Sequence, residues 1–473
     1  MVRRSVAWLV FAAWPTWVGD EGSCFDSAFG SPRRTGIGGE AEGPEYWLTK
    51  AMCARARTVV GNGDALVKFS QRLKECSHAL VVVATKHNVD ALCPHKNGLY
   101  ECKSEAWPAR LESLLIARRL KYCASGAAVV VQNLCKSSTG TEYANNMVVG
   151  GDWDAQLTHA DLIIVETATN DVQFENWRLG LVPEKAVLEQ TEILARLLTS
   201  IPTKPALLWL GTAWRNFGVE ATPPYHTCSA DAHRSVLRYY DIPQLQMFEA
   251  FQPVHSVEAR WIRQVYYNDC CHPSNLGHKM IASVVGFALD RGAEPMARSW
   301  LETLEAHPPP PLFIDERTAA IYFSRHASFT LNLRQPTTGA SSEYGFTWYE
   351  DVPTKPGFIA NAVGATTLIR LAVDAGRTQQ RLFSLSLGYL VSHGGSMGAF
   401  AATISCAEGT LASVKGDGEE PKGAVSIYRS LVLRGVLNCR PNATLWLNVT
   451  VVPSEPPRGR NKVKLYDLTL VII

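Results

Sequence analysis

Between residues 78 and 290, unbroken apolar runs alternate with stretches that place apolar residues at helical spacing. Ala79–Ala84 reads Ala-Leu-Val-Val-Val-Ala, the pattern of a strand buried on both faces. Ala127–Gln132, Leu162–Glu166, Ala206–Leu210 and Gln244–Phe248 continue the series. Between and after them, Trp107–Tyr122, Glu184–Ser200, Ala232–Tyr240 and Lys279–Leu289 have the spacing of helices. Strands that alternate with helices predict a parallel sheet covered on both faces, a three-layer α/β/α domain. Beyond Ala288 the pattern changes. Pro308–Pro311 predicts a stiff extended linker, and short β-rich runs follow at Leu368–Val373, Leu382–Leu390, Ala399–Ser405, Leu445–Val452 and Lys464–Ile473. With turns between them and no long helix, these predict an all-β sandwich. The expected division is a signal-like segment (1–19), an irregular lead-in (20–77), the α/β domain (78–305), the Pro-rich linker (306–312) and the β-sandwich (313–473).

Composition narrows the setting. The 473 residues are 46% hydrophobic and 19% charged, enough for two or three cores. A formal charge of +2, with no local Lys/Arg run, gives no footprint for nucleic acid. Met1-Val2-Arg3-Arg4 precedes an apolar run from Val6 to Trp14, the shape of a secretory signal and too short for a comfortable membrane span. An uncleaved anchor and a buried first strand are the other readings of this segment. Twelve cysteines fit an oxidising compartment, with Cys406/Cys439 and Cys93/Cys102 as plausible pairs. The sequons Asn442-Ala443-Thr444 and Asn448-Val449-Thr450 agree with a secreted or endomembrane-lumenal protein without an integral span after signal removal.

The densest chemistry lies at Asp269-Cys270-Cys271-His272-Pro273-Ser274-Asn275-Leu276-Gly277-His278. An acid three residues before a histidine, at the entrance to a helix, is the base-plus-orienter half of a catalytic triad. The plainer reading is that His272 and His278 cap and pack a loop. Upstream, loops rich in polar residues follow the strands: Thr85-Lys86-His87-Asn88-Val89-Asp90-Ala91, Asn133–Gly140, and Ala168-Thr169-Asn170-Asp171. Sites in such sheets lie beyond the carboxyl ends of the strands. The series resembles the SGNH (GDSL) hydrolase superfamily, in particular algal- and fungal-type members with a C-terminal β-domain. The resemblance covers most of 78–290 and is strongest at Asp161–Asp171 and Asp269–His278. It implies His272 as general base, Asp269 as its orienting carboxylate and Asn170 as a side-chain donor to the oxyanion.

The departures from the family pattern bear on activity. Asn88 stands where the family has its nucleophilic serine, with Lys86 and His87 in place of small residues; a shift of one would put His87 there. Ser138, or Ser137, stands where a glycine usually donates its backbone N–H. Ala168 replaces a glycine in the third block. An amide is a very poor nucleophile. Two functions follow from the resemblance. One is a secreted protein related to esterases that act on acyl or acetyl esters of glycans or lipids, with its ester hydrolysis weak or lost and the old pocket kept for binding. The other is an active carboxylic-ester hydrolase that uses Ser137 or Ser138. No cofactor is expected. His87, Asp90, Cys93 and His95 lack zinc-type spacing, and Ser27, in Cys24-Phe25-Asp26-Ser27, lacks the glycine of a nucleophile turn. The expected partner is a glycan or an acylated small molecule. In the β-rich part, Trp348, Tyr349, Phe358 and Tyr389 are either sugar-stacking faces or packing residues.

Overall fold

The structure, a computed structural model, describes residues 50–59, 61, 63–85, 91–95, 98–123, 128–135, 139–171, 184–212, 214–215, 225–226, 230–251, 265, 273–291, 311–314, 328–332, 340–350, 356–371, 381–392, 397–419, 426–440, 443–455 and 461–472. Its first part contains strands β1 (Arg57–Val59), β2 (Ala79–Thr85), β3 (Ala91–His95), β4 (Gly98–Cys102), β5 (Val129–Asn133), β6 (Leu162–Glu166), β7 (Ala206–Gly211), β8 (Trp214–Arg215), β9 (Tyr225–His226) and β10 (Gln244–Gln246). The helices are α1 (Lys50–Arg55), α2 (Gly63–Lys74), α3 (Trp107–Arg119), α4 (Thr141–Val149), α5 (Asp154–His159), α6 (Ala168–Asp171), α7 (Glu184–Thr199), α8 (Ala230–Tyr239), α9 (Met247–Phe251) and α10 (Asn275–Arg291).

Among the described residues, six strands form one sheet in the order β1-β10-β7-β6-β2-β5. All neighbours are parallel except β1, which runs antiparallel to β10 at the edge. The continuous apolar runs are explained by burial on both sides. Val81, Val83, Leu162, Ile164, Leu208 and Leu210 pack with α2, α3 and α10. Val82, Ala84, Ile163, Val165 and Trp209 face the opposite way and pack with α4, α7 and α8. Residues 50–77, expected as an irregular lead-in, instead supply α1, β1 and α2. The amphipathic α2 buries Leu66 and Phe69, a helical signal that the charged neighbourhood obscures. The expected strand Gln244–Phe248 stops at Gln246, where α9 begins. Two short hairpins, β3–β4 and β8–β9, stand outside the sheet.

The second part contains β11 (Ser328–Asn332), β12 (Ala340–Tyr344), β13 (Thr347–Glu350), β14 (Pro356–Ala360), β15 (Thr366–Leu371), β16 (Arg381–Val391), β17 (Ala399–Cys406), β18 (Gly409–Asp417), β19 (Ile427–Leu437), β20 (Leu445–Val452) and β21 (Val463–Ile472). One sheet runs β13-β14-β21-β16-β19, with β11 also paired to β21; the other runs β12-β15-β20-β17-β18. Leu385, Leu465 and Leu468 from the first meet Ile369, Phe400, Leu447 and Val449 from the second in one core, so the two sheets form a sandwich. Phe358 stacks on Phe346 inside it, with ring centroids 5.3 Å apart, and Tyr389 meets Phe400 edge-on at 5.1 Å. Trp348 packs against the same core, while Tyr349 remains 39% exposed. Of the four aromatic candidates, packing therefore claims three. The expected Cys406–Cys439 disulfide is present, and Cys76–Cys123 forms a second one. Cys93 pairs with Tyr100 and Ala91 with Cys102 across the β3–β4 hairpin; the side chains of this hairpin lie outside the described residues.

Where the two parts meet, Leu312, Phe313 and Ile314 donate their backbone N–H groups to the buried Glu192 carboxylate, at 2.5, 2.6 and 2.9 Å. Tyr240 adds its hydroxyl to the same carboxylate at 2.6 Å, and Arg196 donates to Tyr240. Phe313 and Ile314 pack on the α/β core. This end of the linker is thus part of the first domain's packing rather than a free spacer. A second contact joins α4 to β19. Glu142 accepts the Ser430 N–H at 3.0 Å, and Asn146 donates to Tyr428 and Ser430 at 2.9 and 3.0 Å. Tyr428 donates its own hydroxyl hydrogen bond to Asp467 at 2.7 Å and meets the Tyr143 ring edge-on. Burial, with the Asp467 charge beside it, holds the Tyr428 hydroxyl well above its ordinary pKa, so it stays a donor.

Candidate functional site

The strand order β5-β2-β6-β7-β10 is the arrangement of a doubly wound sheet. From β2 the chain crosses to β5 over the face that α3 covers, then returns to β6 over the face that α4 covers. The direction reverses between β2 and β6, and a crevice opens there at the carboxyl ends of the strands. Thr85 and Glu166 pair at those ends, so the loops after β2 and β6 leave the sheet side by side. Asn88 belongs to the first of these loops in the sequence and Asn170 to the second.

Of the predicted site residues, Asn88, Ser137, Ser138, Asp269 and His272 lie outside the described residues, as do His87 and Asp90. Asn170 sits in the short α6 directly after β6; its side chain also lies outside the description. What the structure does show is the framework around them. Asp171, next to Asn170, turns back to the N-terminus of α4. Its carboxylate accepts the Thr141 N–H at 2.6 Å and the Thr141 hydroxyl at 2.6 Å. Gly140 has no side chain to cap α4, so Asp171 supplies the cap from a distant loop, with its charge at the positive end of the helix. His233 of α8 completes the arrangement with Nε2 at 3.0 Å from Asp171, and the Trp209 indole donates to His233 Nδ1 at 3.1 Å.

An aspartate–histidine pair invites the reading of a second catalytic dyad, and the geometry rejects it. The His233 ring is 0% exposed, its Nδ1 lone pair is taken by Trp209, and its Nε2 proton is directed at Asp171. No lone pair is left to accept a substrate proton. The pair is a brace. Burial pushes the Asp171 carboxyl up, but the hydrogen bonds from His233 and Thr141 outweigh it and hold the group below the usual carboxylate range. The brace ties the turn after β6 to the start of α4, three positions after Ser138 in the sequence. Beneath it, the Thr141 hydroxyl also reaches Thr167, and Thr212 donates to the buried Glu166 at 2.8 Å.

The N-terminus of α10 belongs to the same end of the molecule. Its His278 accepts the backbone N–H of Trp107 through Nδ1 at 3.2 Å, so α10 and α3 start side by side. Because α3 leads down to β5, its start lies at the carboxyl ends of the strands. Ser274 caps α10 by accepting the Gly277 N–H at 3.2 Å, and its own N–H goes to the Val265 carbonyl at 2.7 Å. At Gly277 a side chain would run into that carbonyl and into Pro273, which explains the glycine in the motif. Of the two histidines in the motif, His278 is a packing and capping residue.

Sequence reasoning missed Thr141, Trp209 and His233. His233 lies on an unremarkable amphipathic helix 62 positions from Asp171, and no local pattern marks it. The brace also borders a cleft lined by Gly140, Glu142, Asp171, Gln190, Tyr428 and Arg429, in which the β-sandwich forms one wall. Burial raises the Glu142 carboxyl above its ordinary pKa, and the Arg429 charge and the Ser430 N–H oppose that shift.

No protein-family model matches this sequence, and no curated protein matches it. Among solved structures, a two-domain esterase (CEX) active on acetylated mannans is similar over 88% of this chain and 97% of its own, with 16% identity and a TM-score of 0.55. The same description, co-crystallized with mannopentaose, gives 16% identity over the same shares and a TM-score of 0.54. At that identity the likeness is one of fold, and it spans both parts of the chain. The chain has the SGNH (GDSL) hydrolase fold, followed by an antiparallel β domain.

Proposed function

We propose that this chain is a secreted carbohydrate-esterase-like protein that keeps an acyl-ester pocket but hydrolyses esters weakly or not at all. The observation that supports it most is the reversal of strand order between β2 and β6, with Thr85 and Glu166 paired at the strand ends from which the two Asn-bearing loops depart. In this reading His272 is the base, Asp269 orients it, and Asn170 with the Ser138 N–H forms the oxyanion hole. Asn88 replaces the nucleophile, so the base has nothing to activate. Loss of one member of such a unit removes nearly all its benefit. The ligand class is an acylated or acetylated glycan, by analogy with the two-domain esterase of similar fold. The cleft between Asp171 and the sandwich residues Tyr428 and Arg429 would extend the pocket. The proposed division places the α/β domain at 78–305 with 50–77 added to it, the linker at 306–312, and the sandwich beyond.

The deciding assay compares hydrolysis of p-nitrophenyl acetate by the unaltered chain, Asn88→Ser and His272→Ala. Near-background turnover by the unaltered chain and a gain in Asn88→Ser are expected. Robust turnover that disappears in His272→Ala would overturn the reading, and Ser137 and Ser138 would become the nucleophile candidates.

A further inference from the structure

The outer face of the second sandwich sheet carries a feature that the ester pocket does not use. Strand β20 is the central strand of that sheet, between β15 and β17. Its side chains alternate strictly: Leu445, Leu447, Val449 and Val451 point into the core, while Trp446, Asn448, Thr450 and Val452 face outward. Asn448 is the exposed member of the outward set and the acceptor of an Asn-Val-Thr sequon.

We propose that Asn448 carries an N-linked glycan whose first sugar lies on the outer face of this sheet, against Trp446. Three observations converge on it. The Asn448 carbonyl oxygen is held by Thr366 at 2.7 Å and by Thr450, the sequon hydroxyl, at 3.4 Å, and the two threonines touch at 3.1 Å. Among the described residues no group bonds its amide nitrogen, the atom that bears the sugar. Second, Trp446 lies two residues earlier on the same strand face, as the two-residue period requires. The register sets Asn448 between Leu368 of β15 and Thr403 of β17, and Trp446 between Arg370 and Ser405. A sugar on Asn448 therefore sits over Leu368 and Thr403 with an indole alongside, and a pyranose has an apolar C–H face to offer it. Third, the Cys76–Cys123 and Cys406–Cys439 disulfides fit the oxidising compartment in which such transfer occurs.

The chemistry balances with a polyisoprenyl-diphosphate-linked oligosaccharide as donor. The Asn448 amide nitrogen forms a bond to the anomeric carbon, the bond from that carbon to the diphosphate oxygen breaks, and the lipid diphosphate leaves as the amide loses one proton. Transfer takes place on the entering chain before β20 forms, so the finished strand has only to tolerate the product. The outward, exposed position of Asn448 does so. The glycan would also cover the broad outer face, which would keep that face from pairing with another sheet.

The proposal does not rest on the ester-pocket reading, because an inactive chain would carry the same glycan. To test it, the full chain with its own N-terminus is expressed in a eukaryotic secretory host, and the peptides are mapped after enzymatic deglycosylation in heavy-oxygen water. A mass-marked aspartate at 448 is expected. Asn448→Gln and the isosteric Thr450→Val should each lose one glycan's mass. Removing the glycan from the folded protein should lower Tm by about 2–4 °C, and Trp446→Ala should keep the glycan but lose that shift. Unmodified Asn448 in the recovered protein, wherever in the cell it is recovered, would overturn the proposal. An unchanged Tm on deglycosylation would overturn the contact with Trp446.

Discussion

Replacing Asp171 with asparagine tests the brace beside the crevice. Asp171 accepts from three donors, the Thr141 N–H, the Thr141 hydroxyl and the His233 ring. In Asp171→Asn the amide oxygen can keep the Thr141 N–H, and the Thr141 hydroxyl can turn wholly to Thr167. The amide nitrogen then faces the His233 Nε2 proton. That proton cannot move to Nδ1, because Trp209 already donates there. A buried donor left facing a donor costs about 1–3 kcal/mol, and losing the charge from the remaining bonds costs on the order of 1 kcal/mol more. Relief of the carboxylate's burial offsets part of this, leaving about 2–3 kcal/mol. For a domain of this size that is a fall in Tm of roughly 4–12 °C. The pH dependence carries the sign. A carboxyl whose folded pKa is depressed contributes stability that is present above its unfolded pKa and is lost as pH falls through the folded value. Denaturant titrations of both proteins between neutral and acidic pH should therefore converge toward the acid side. A constant difference at every pH, or a difference below about 0.5 kcal/mol at neutral pH, would refute the brace.

Other perturbations have equally definite outcomes. Glu192→Gln places an amide nitrogen among backbone N–H donors, so the segment at Leu312–Ile314 should detach and be cut by proteases at least several-fold faster. Tyr428→Phe removes the hydroxyl that accepts from Asn146 and donates to Asp467. It should cost about 1–3 kcal/mol and, in calorimetry, separate the melting of the two domains. The Cys406→Ala/Cys439→Ala double variant opens a loop closed over a separation of 33 residues and should lose about 3–4 kcal/mol of sandwich stability in a urea titration. Gly277→Ala should displace the residues before α10 and lower whatever activity Asn88→Ser restores, with thermal stability as the control.

The layers of the fold were legible where one residue pattern has one physical cause. Leu162–Glu166 is buried at every position, and its strand begins with the apolar run and ends one residue after it, on the buried Glu166. The alternation in β20 is equally plain. Legibility failed where a partner distant in the chain decides the outcome. Helix α4 carries Asn145 and Asn146 in its buried part, an unpromising pattern until Gln190 and Tyr428 are seen to receive them. Strand β18 has mostly exposed and half-buried residues, so no apolar alternation announces it. At the crevice, the sequence points to the loops through the family resemblance. The brace that supports them could not be read, because Thr141, Asp171, Trp209 and His233 come from four separate elements.

The Glu192 carboxylate has a consequence for how this chain can be divided. It is 0% exposed and lies 120 to 122 positions from the three backbone donors that satisfy it. A chain cut at residue 305, the expected end of the α/β domain, would keep the acid and discard those donors. The freed carboxylate would have to be hydrated by opening the packing of α7 on α8, or be protonated, and either route weakens the core. The α/β unit is therefore not portable as it stands: transplanted alone, it needs either the first residues beyond the proline run or a neutral, smaller side chain at position 192.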